Sequence, residues 1–178
     1  YGVQNILNPL FDIDYPHINL IDKFSPPENI LMAGLGGLYL GSVLSNNEQG
    51  QRAVWMSLKA FFYSYSVSHV TLKTLIGRQR PSSRLGSGQT SNTKTDDSWD
   101  FFNAHEIYWE SKEYGTAFPS FHLTLAFSVA TVLGNVYESD LLYHSTWMIL
   151  TLPEFKGHSH WTSDMVMGAL IGTMIGHE

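Results

Sequence analysis

Two long stretches of this chain, Asn29 to Asn47 and Tyr114 to Tyr137, contain no Asp, Glu, Lys or Arg. Two shorter apolar runs follow them, Leu141 to Pro153 and Met165 to Gly176. No convincing strand pattern competes with these runs, so they predict an all-α domain. With 43% hydrophobic residues in 178, one sizeable core is available and nothing requires a second domain. A single domain over 1–178, a bundle of about five to six helices, is expected. Either long stretch could span a bilayer by length alone. Glycine interrupts both, however, and the second carries Pro119 and His122. The shorter runs fall below a comfortable span, and mean hydropathy is -0.09. A soluble or surface-associated domain is the expectation, with an integral membrane protein as the alternative.

Taken in order, residues 1–24 mix Asn, Asp and Pro without a sustained period and predict an irregular N-terminal arm. Ser25-Pro26-Pro27-Glu28 then has the form of a capping box with Pro at the first helical position. Gly34, Gly37 and Gly41 recur along one side of the helix that follows, which predicts close approach of a neighbouring helix. Asn46 to Gly50 is a turn. A second helix is expected from about Arg52 to Ile76, its many aromatic residues in the core, ended by Gly77 and kept from resuming by Pro81. Residues 82–98, almost without apolar side chains, predict a mobile surface loop. Trp99 to Tyr114 is aromatic and acidic, a short helix that could cap a site or simply cover the core. Helices at about Pro119 to Glu138, Leu141 to Leu152 and Ser163 to Gly176 complete the chain.

Charge narrows the function. At a net charge of -6 and a pI near 5.7, the chain as a whole attracts neither nucleic acid nor anionic lipid. Four of its 10 Lys and Arg nevertheless fall at Lys73, Arg78, Arg80 and Arg84. That cluster is either a local anion site or a solvated basic turn. The absence of cysteine excludes disulfides, thiol catalysis and Cys-based zinc sites. No signal peptide is visible, and a start at Tyr1 leaves a processed N-terminus and export open.

Three constellations carry chemistry. Lys73 precedes Arg80-Pro81 by seven positions; if the helix ran on, both cations would share an azimuth and converge on one anion, Lys as a point charge and Arg as a fork. In Phe118-Pro119-Ser120-Phe121-His122, a helix start would offer N–H groups and the Ser120 hydroxyl to an anion, with His122 beside them as a general acid, or else a satisfied core histidine. In His160-Trp161-Thr162-Ser163-Asp164, an imidazole and a carboxylate sit four apart. On one helix face, Asp164 would hold one ring nitrogen of His160 and leave the other to react, unless the pair is structural. His158 and His160, with Asp164, could also suggest a metal site, though the trio already explains His160.

In this order the motifs resemble the phosphatidic acid phosphatase type 2 superfamily, which includes bacterial acid phosphatases, lipid phosphatases and vanadium haloperoxidases. Lys73, Arg80 and Pro81 match its first motif. Pro119, Ser120 and His122 match the second, with Phe121 where the family has Gly. His160 and Asp164 match the end of the third. The resemblance covers about Glu28 to Gly176 and implies a helical bundle with the site at one end, exported to the bacterial periplasm or cell envelope. It further implies hydrolysis of phosphate esters without metal or other cofactor, on a soluble monoester or a lipid phosphate with peripheral membrane contact. His160 would be the nucleophile, Asp164 its orienter, and His122 the acid and then the base. Lys73, Arg80, Ser120 and the Phe121 N–H would hold the phosphoryl oxygens.

One departure bears on affinity. Counting back from His160, the family's Ser-Arg falls on Pro153-Glu154. A carboxylate ~5.5 Å from phosphate would repel it by ~3 kcal/mol per unit charge at an effective dielectric of ~20. Lys156, two residues on in an extended segment, would supply the missing cation. Two alternatives stand beside the phosphatase: a vanadate-dependent haloperoxidase using the same anion site, and a degenerate, non-catalytic family member.

Overall fold

The computed structural model describes residues 27–81, 94–110, 116–151 and 160–178. The chain is all-α, and five helices organise the described residues: α1 (Pro27–Leu44), α2 (Glu48–Ser64), α3 (Phe121–Tyr137), α4 (Asp140–Thr151) and α5 (Thr162–His177). Helix α2 continues without a break through a π-helical stretch, Tyr65–Leu72, into a last turn, Lys73–Ile76. Gly77 ends it in the left-handed conformation at φ 53°, as its sequence predicts. Asn47 caps α2 by accepting from the Gly50 N–H at 3.0 Å, which starts the helix four residues earlier than expected. The arm and the Ser25-Pro26 cap lie outside the described residues.

Helix α3 is the axis of the bundle, packed against α5, α4 and α2. Its three faces are built differently. One is apolar: Phe121, Leu125, Ala126 and Val129 meet Leu31 and Leu35 of α1, Val54 of α2 and Leu150 of α4, each fully buried large side chain contributing ~1.5–3 kcal/mol. Towards α2 it presents hydroxyls, which burial makes costly unless bonded. Ser64 donates to Ser128 at 2.9 Å, and Thr124 and Ser128 also donate back to carbonyls of their own helix. The third face presents the carbonyls of Ser120, Thr124 and Ser128 with Leu123, Phe127 and Thr131 beside them, against which Gly168, Gly172 and Gly176 of α5 pack so closely that no Cβ would fit.

Two expectations are overturned here. The α1 glycines meet no neighbour among the described residues: an added Cβ at Gly34, Gly37 or Gly41 would find none of their atoms within 4 Å. The aromatic residues of α2 are largely outside the core, with Trp55 62% and Phe62 65% exposed, because the small residues Ala53, Ser57, Ala60 and Ser64 take the face towards α3. Of the expected surface loop, only residues 94–98 are described. Lys94–Thr95 pairs in parallel with Arg80–Pro81, tying residues 94–98 back to the end of α2, while 82–93 lie outside the described residues. Residues 104–110 form a short helical turn with Ile107 buried beneath exposed Trp109. No described helix is long and apolar enough to cross a membrane. Exposed apolar side chains are nonetheless abundant, among them Leu40, Leu44, Leu141, Ile149, Leu170 and Met174.

Candidate active site

The three motifs meet at the segment Thr116–Ala117, just before α3. Lys73, 2% exposed, donates from Nζ to the Thr116 carbonyl at 2.6 Å, and the Thr116 hydroxyl donates to the Lys73 carbonyl at 2.9 Å. Ala117 N–H donates to the Arg78 carbonyl at 2.8 Å. The Ala117 carbonyl in turn lies 2.7 Å from His160 Nδ1. A carbonyl only accepts, so Nδ1 carries the hydrogen and the lone pair of the neutral ring sits on Nε2. That is the tautomer a nucleophilic histidine requires.

Asp164 is placed differently from its expected role. The helix begins at Thr162, so His160 precedes it and the i, i+4 face argument does not apply. Asp164 Oδ2 accepts from the Trp161 N–H at 2.8 Å, as the acidic partner of an N-terminal cap, and stands 3.8 Å from His160 Nδ1. Its other oxygen is taken by Arg78, a guanidinium 4% exposed. The Ala117 carbonyl is thus in hydrogen-bond contact with His160 Nδ1, and the Asp164 carboxylate stands farther from the same nitrogen.

Ser120 is the N-cap of α3, its hydroxyl accepting from Leu123 N–H at 3.5 Å and its own N–H donating to the Asp164 carbonyl at 3.0 Å. Pro119 therefore precedes the helix, following a cis peptide, rather than occupying its first position. Leu123 and Thr124 N–H are engaged by Ser120, so in the first turn the expected anion contacts narrow to the main chain of Phe121 and half-buried His122. The Phe121 side chain turns into the core, its ring 5.3 Å from His69 and 5.9 Å from Tyr65. Arg80 is half-buried on the short strand after Gly77, so the shared helical azimuth with Lys73 fails: the helix stops at Ile76. Glu154, Lys156 and His158 lie outside the described residues. Among those described, no group of three His, Asp or Glu could hold a metal ion.

Sequence reasoning missed three contributors. Ala117 acts through main-chain atoms, and Thr116 through its carbonyl as well as its hydroxyl; main-chain contacts leave no mark in a sequence. Arg78 stood in the basic cluster, but nothing there says which cation is turned inward. No curated protein and no solved structure matches the chain. The family model described as the PAP2 superfamily matches residues 53–177, well over half the chain. All three motifs, from Lys73 to Asp164, fall within that match and converge in space on one segment, and the chain belongs to the PAP2 superfamily.

Proposed function

We propose that the chain hydrolyses phosphate esters through a phosphohistidine, without a metal ion. Membership of the superfamily supports phosphatase-type activity in general. The observation that carries the finer reading is the 2.7 Å contact of His160 Nδ1 with the Ala117 carbonyl, which leaves the lone pair on Nε2. In that reading Nε2 attacks phosphorus and the ester P–O bond breaks, the leaving oxygen taking a proton from His122. His122 then removes a proton from water, whose oxygen displaces His160 from phosphorus. Lys73 holds the phosphoryl oxygens with Arg80, Ser120 and the Phe121 N–H, where charge must be stabilised in phosphoryl transfer. Lys156 supplies the cation that Glu154 does not. The exposed apolar side chains of α1, α4 and α5 support peripheral contact with a lipid surface, and with it a lipid phosphate as substrate.

The test is hydrolysis of an aryl phosphate in excess EDTA by the wild type and by His160→Ala. Activity that survives EDTA and falls at least about a thousandfold in the variant is expected. Activity abolished by EDTA would point to a metal, and no hydrolysis by either protein would overturn the reading. Phosphatidic acid in mixed micelles, hydrolysed faster than the aryl ester at equal concentration, would identify the lipid substrate.

A further inference from the structure

Arg78 is held at several points. Its Nη1 donates to Asp164 Oδ1 and, at 2.7 Å, to the Ser163 hydroxyl, while Nη2 donates to the Ser98 carbonyl at 2.6 Å. The guanidinium lies 5.1 Å from the Phe101 ring and 5.2 Å from the Trp161 ring. These partners come from the first turn of α5, the residue that caps it and the segment 98–101. A rigid planar fork fixed on three sides has one orientation, and it fixes whatever carboxylate it holds.

We infer that Arg78 is a positioning residue for the proposed reaction: it draws Asp164 back, so that the carboxylate stands behind His160 without taking its Nδ1 hydrogen. The inference rests on the reading in which His160 attacks through Nε2. Asp164 is fully buried and its oxygens are divided, Oδ1 to Arg78 and Oδ2 to Trp161 N–H. A carboxylate beside an imidazole N–H ordinarily closes to ~2.7–2.9 Å; here the separation is 3.8 Å, and the ring donates to a neutral carbonyl instead. The negative charge is near enough to favour the positive charge that His160 gains as it bonds to phosphorus. It is too far to pull the ring out of line. Without Arg78 the buried carboxylate loses its counter-charge, and the Nδ1–H of His160 is a donor within reach. Closing that gap moves the ring by ~1 Å, a displacement that costs about a hundredfold in rate at a reacting centre.

Nη1 and Nη2 donate to protein partners, so the expected effect is on turnover; the buried Nε has no partner among the described residues, and the split between kcat and KM decides whether it reaches an anion. The experiment compares wild type, Arg78→Met, Asp164→Asn and the double variant, all as the full chain. Each is measured for aryl phosphate kinetics, for inhibition by inorganic phosphate and for the His160 Nδ1–H proton resonance, assigned by its absence from His160→Ala. Arg78→Met is expected to lower kcat about a hundredfold with KM and phosphate inhibition within about threefold. The double variant is expected to be no slower than Asp164→Asn. The resonance should move downfield in Arg78→Met and return in the double variant. A rise in KM and weaker phosphate inhibition that account for the loss would make Arg78 an anion ligand and overturn the inference. So would additive losses, an unchanged kcat or an unmoved resonance. If the wild type hydrolyses nothing, the phosphatase reading fails, while the resonance alone still decides whether Arg78 positions His160. Should Arg78→Met not fold, Arg78→Lys keeps the charge but cannot span Ser98 and Asp164, and the same split between kcat and KM is expected.

Discussion

Helices α1 and α5 carry nearly the same glycine signature and use it in opposite ways. Gly168, Gly172 and Gly176 of α5 face the carbonyl oxygens of Ser120, Thr124 and Ser128, where an added Cβ would sit 2.5, 2.2 and 2.5 Å away. Gly34, Gly37 and Gly41 of α1 face no atom of the described residues within 4 Å. Each helical glycine costs ~1 kcal/mol relative to alanine. On α5 the cost is offset by backbone-to-backbone packing along α3, with the dispersion and weak Cα–H···O contacts that such closeness allows. On α1 no described contact offsets it. Glycine spacing states that a helix can be approached; only a partner that presents its carbonyls on the facing side makes the approach happen.

The sharpest way to break this comparison is at the site end of α5. Gly168 abuts the carbonyl of Ser120, the cap of α3, whose N–H reaches Asp164. Gly168→Ala is expected to push the two helix starts apart and lower kcat about a hundredfold. Gly176→Ala, at the far end of the same seam, should destabilise by ~1–3 kcal/mol in thermal melts yet leave kcat within about twofold. Equal kinetic losses at both ends would show that the seam acts as a whole and not through the site. A smaller effect tests the hydroxyl face: Ser128→Ala leaves Ser64 without its acceptor and should cost ~1 kcal/mol by denaturant titration. The smallest has the opposite sign. Gly37→Ala meets no atom of the described residues and should stabilise by ~0.5–1 kcal/mol, and a loss there would mean that α1 has a close neighbour after all.

The same contrast explains what was legible in the sequence. Helix positions followed from charge-free runs and from caps such as Gly77, because those are local properties of the chain. The three motifs were legible too, as spacings of reactive side chains. What spacing could not supply was the partner. The aromatic residues of α2 and the glycines of α1 looked like core on composition, but burial is decided by which face meets α3, and small residues won that face in α2. Asp164 looked like the direct orienter of His160, and its recruitment by Arg78 depends on residue 78 reaching across 86 positions of sequence. The Lys73 and Arg80 azimuth argument assumed a helix that Gly77 had already ended.

The meeting of Lys73, Arg78 and His160 on Thr116–Ala117 runs almost entirely through main-chain oxygens and nitrogens. Ala117, the residue that sets the tautomer of His160, has no side-chain function to remove. An alanine scan would pass over it without a signal, and a library of point substitutions would register only the steric limits of a fully enclosed methyl group. Chemistry that edits the peptide bond itself, such as an ester between residues 117 and 118 to weaken the carbonyl as an acceptor, reaches the contact that genetic substitution cannot.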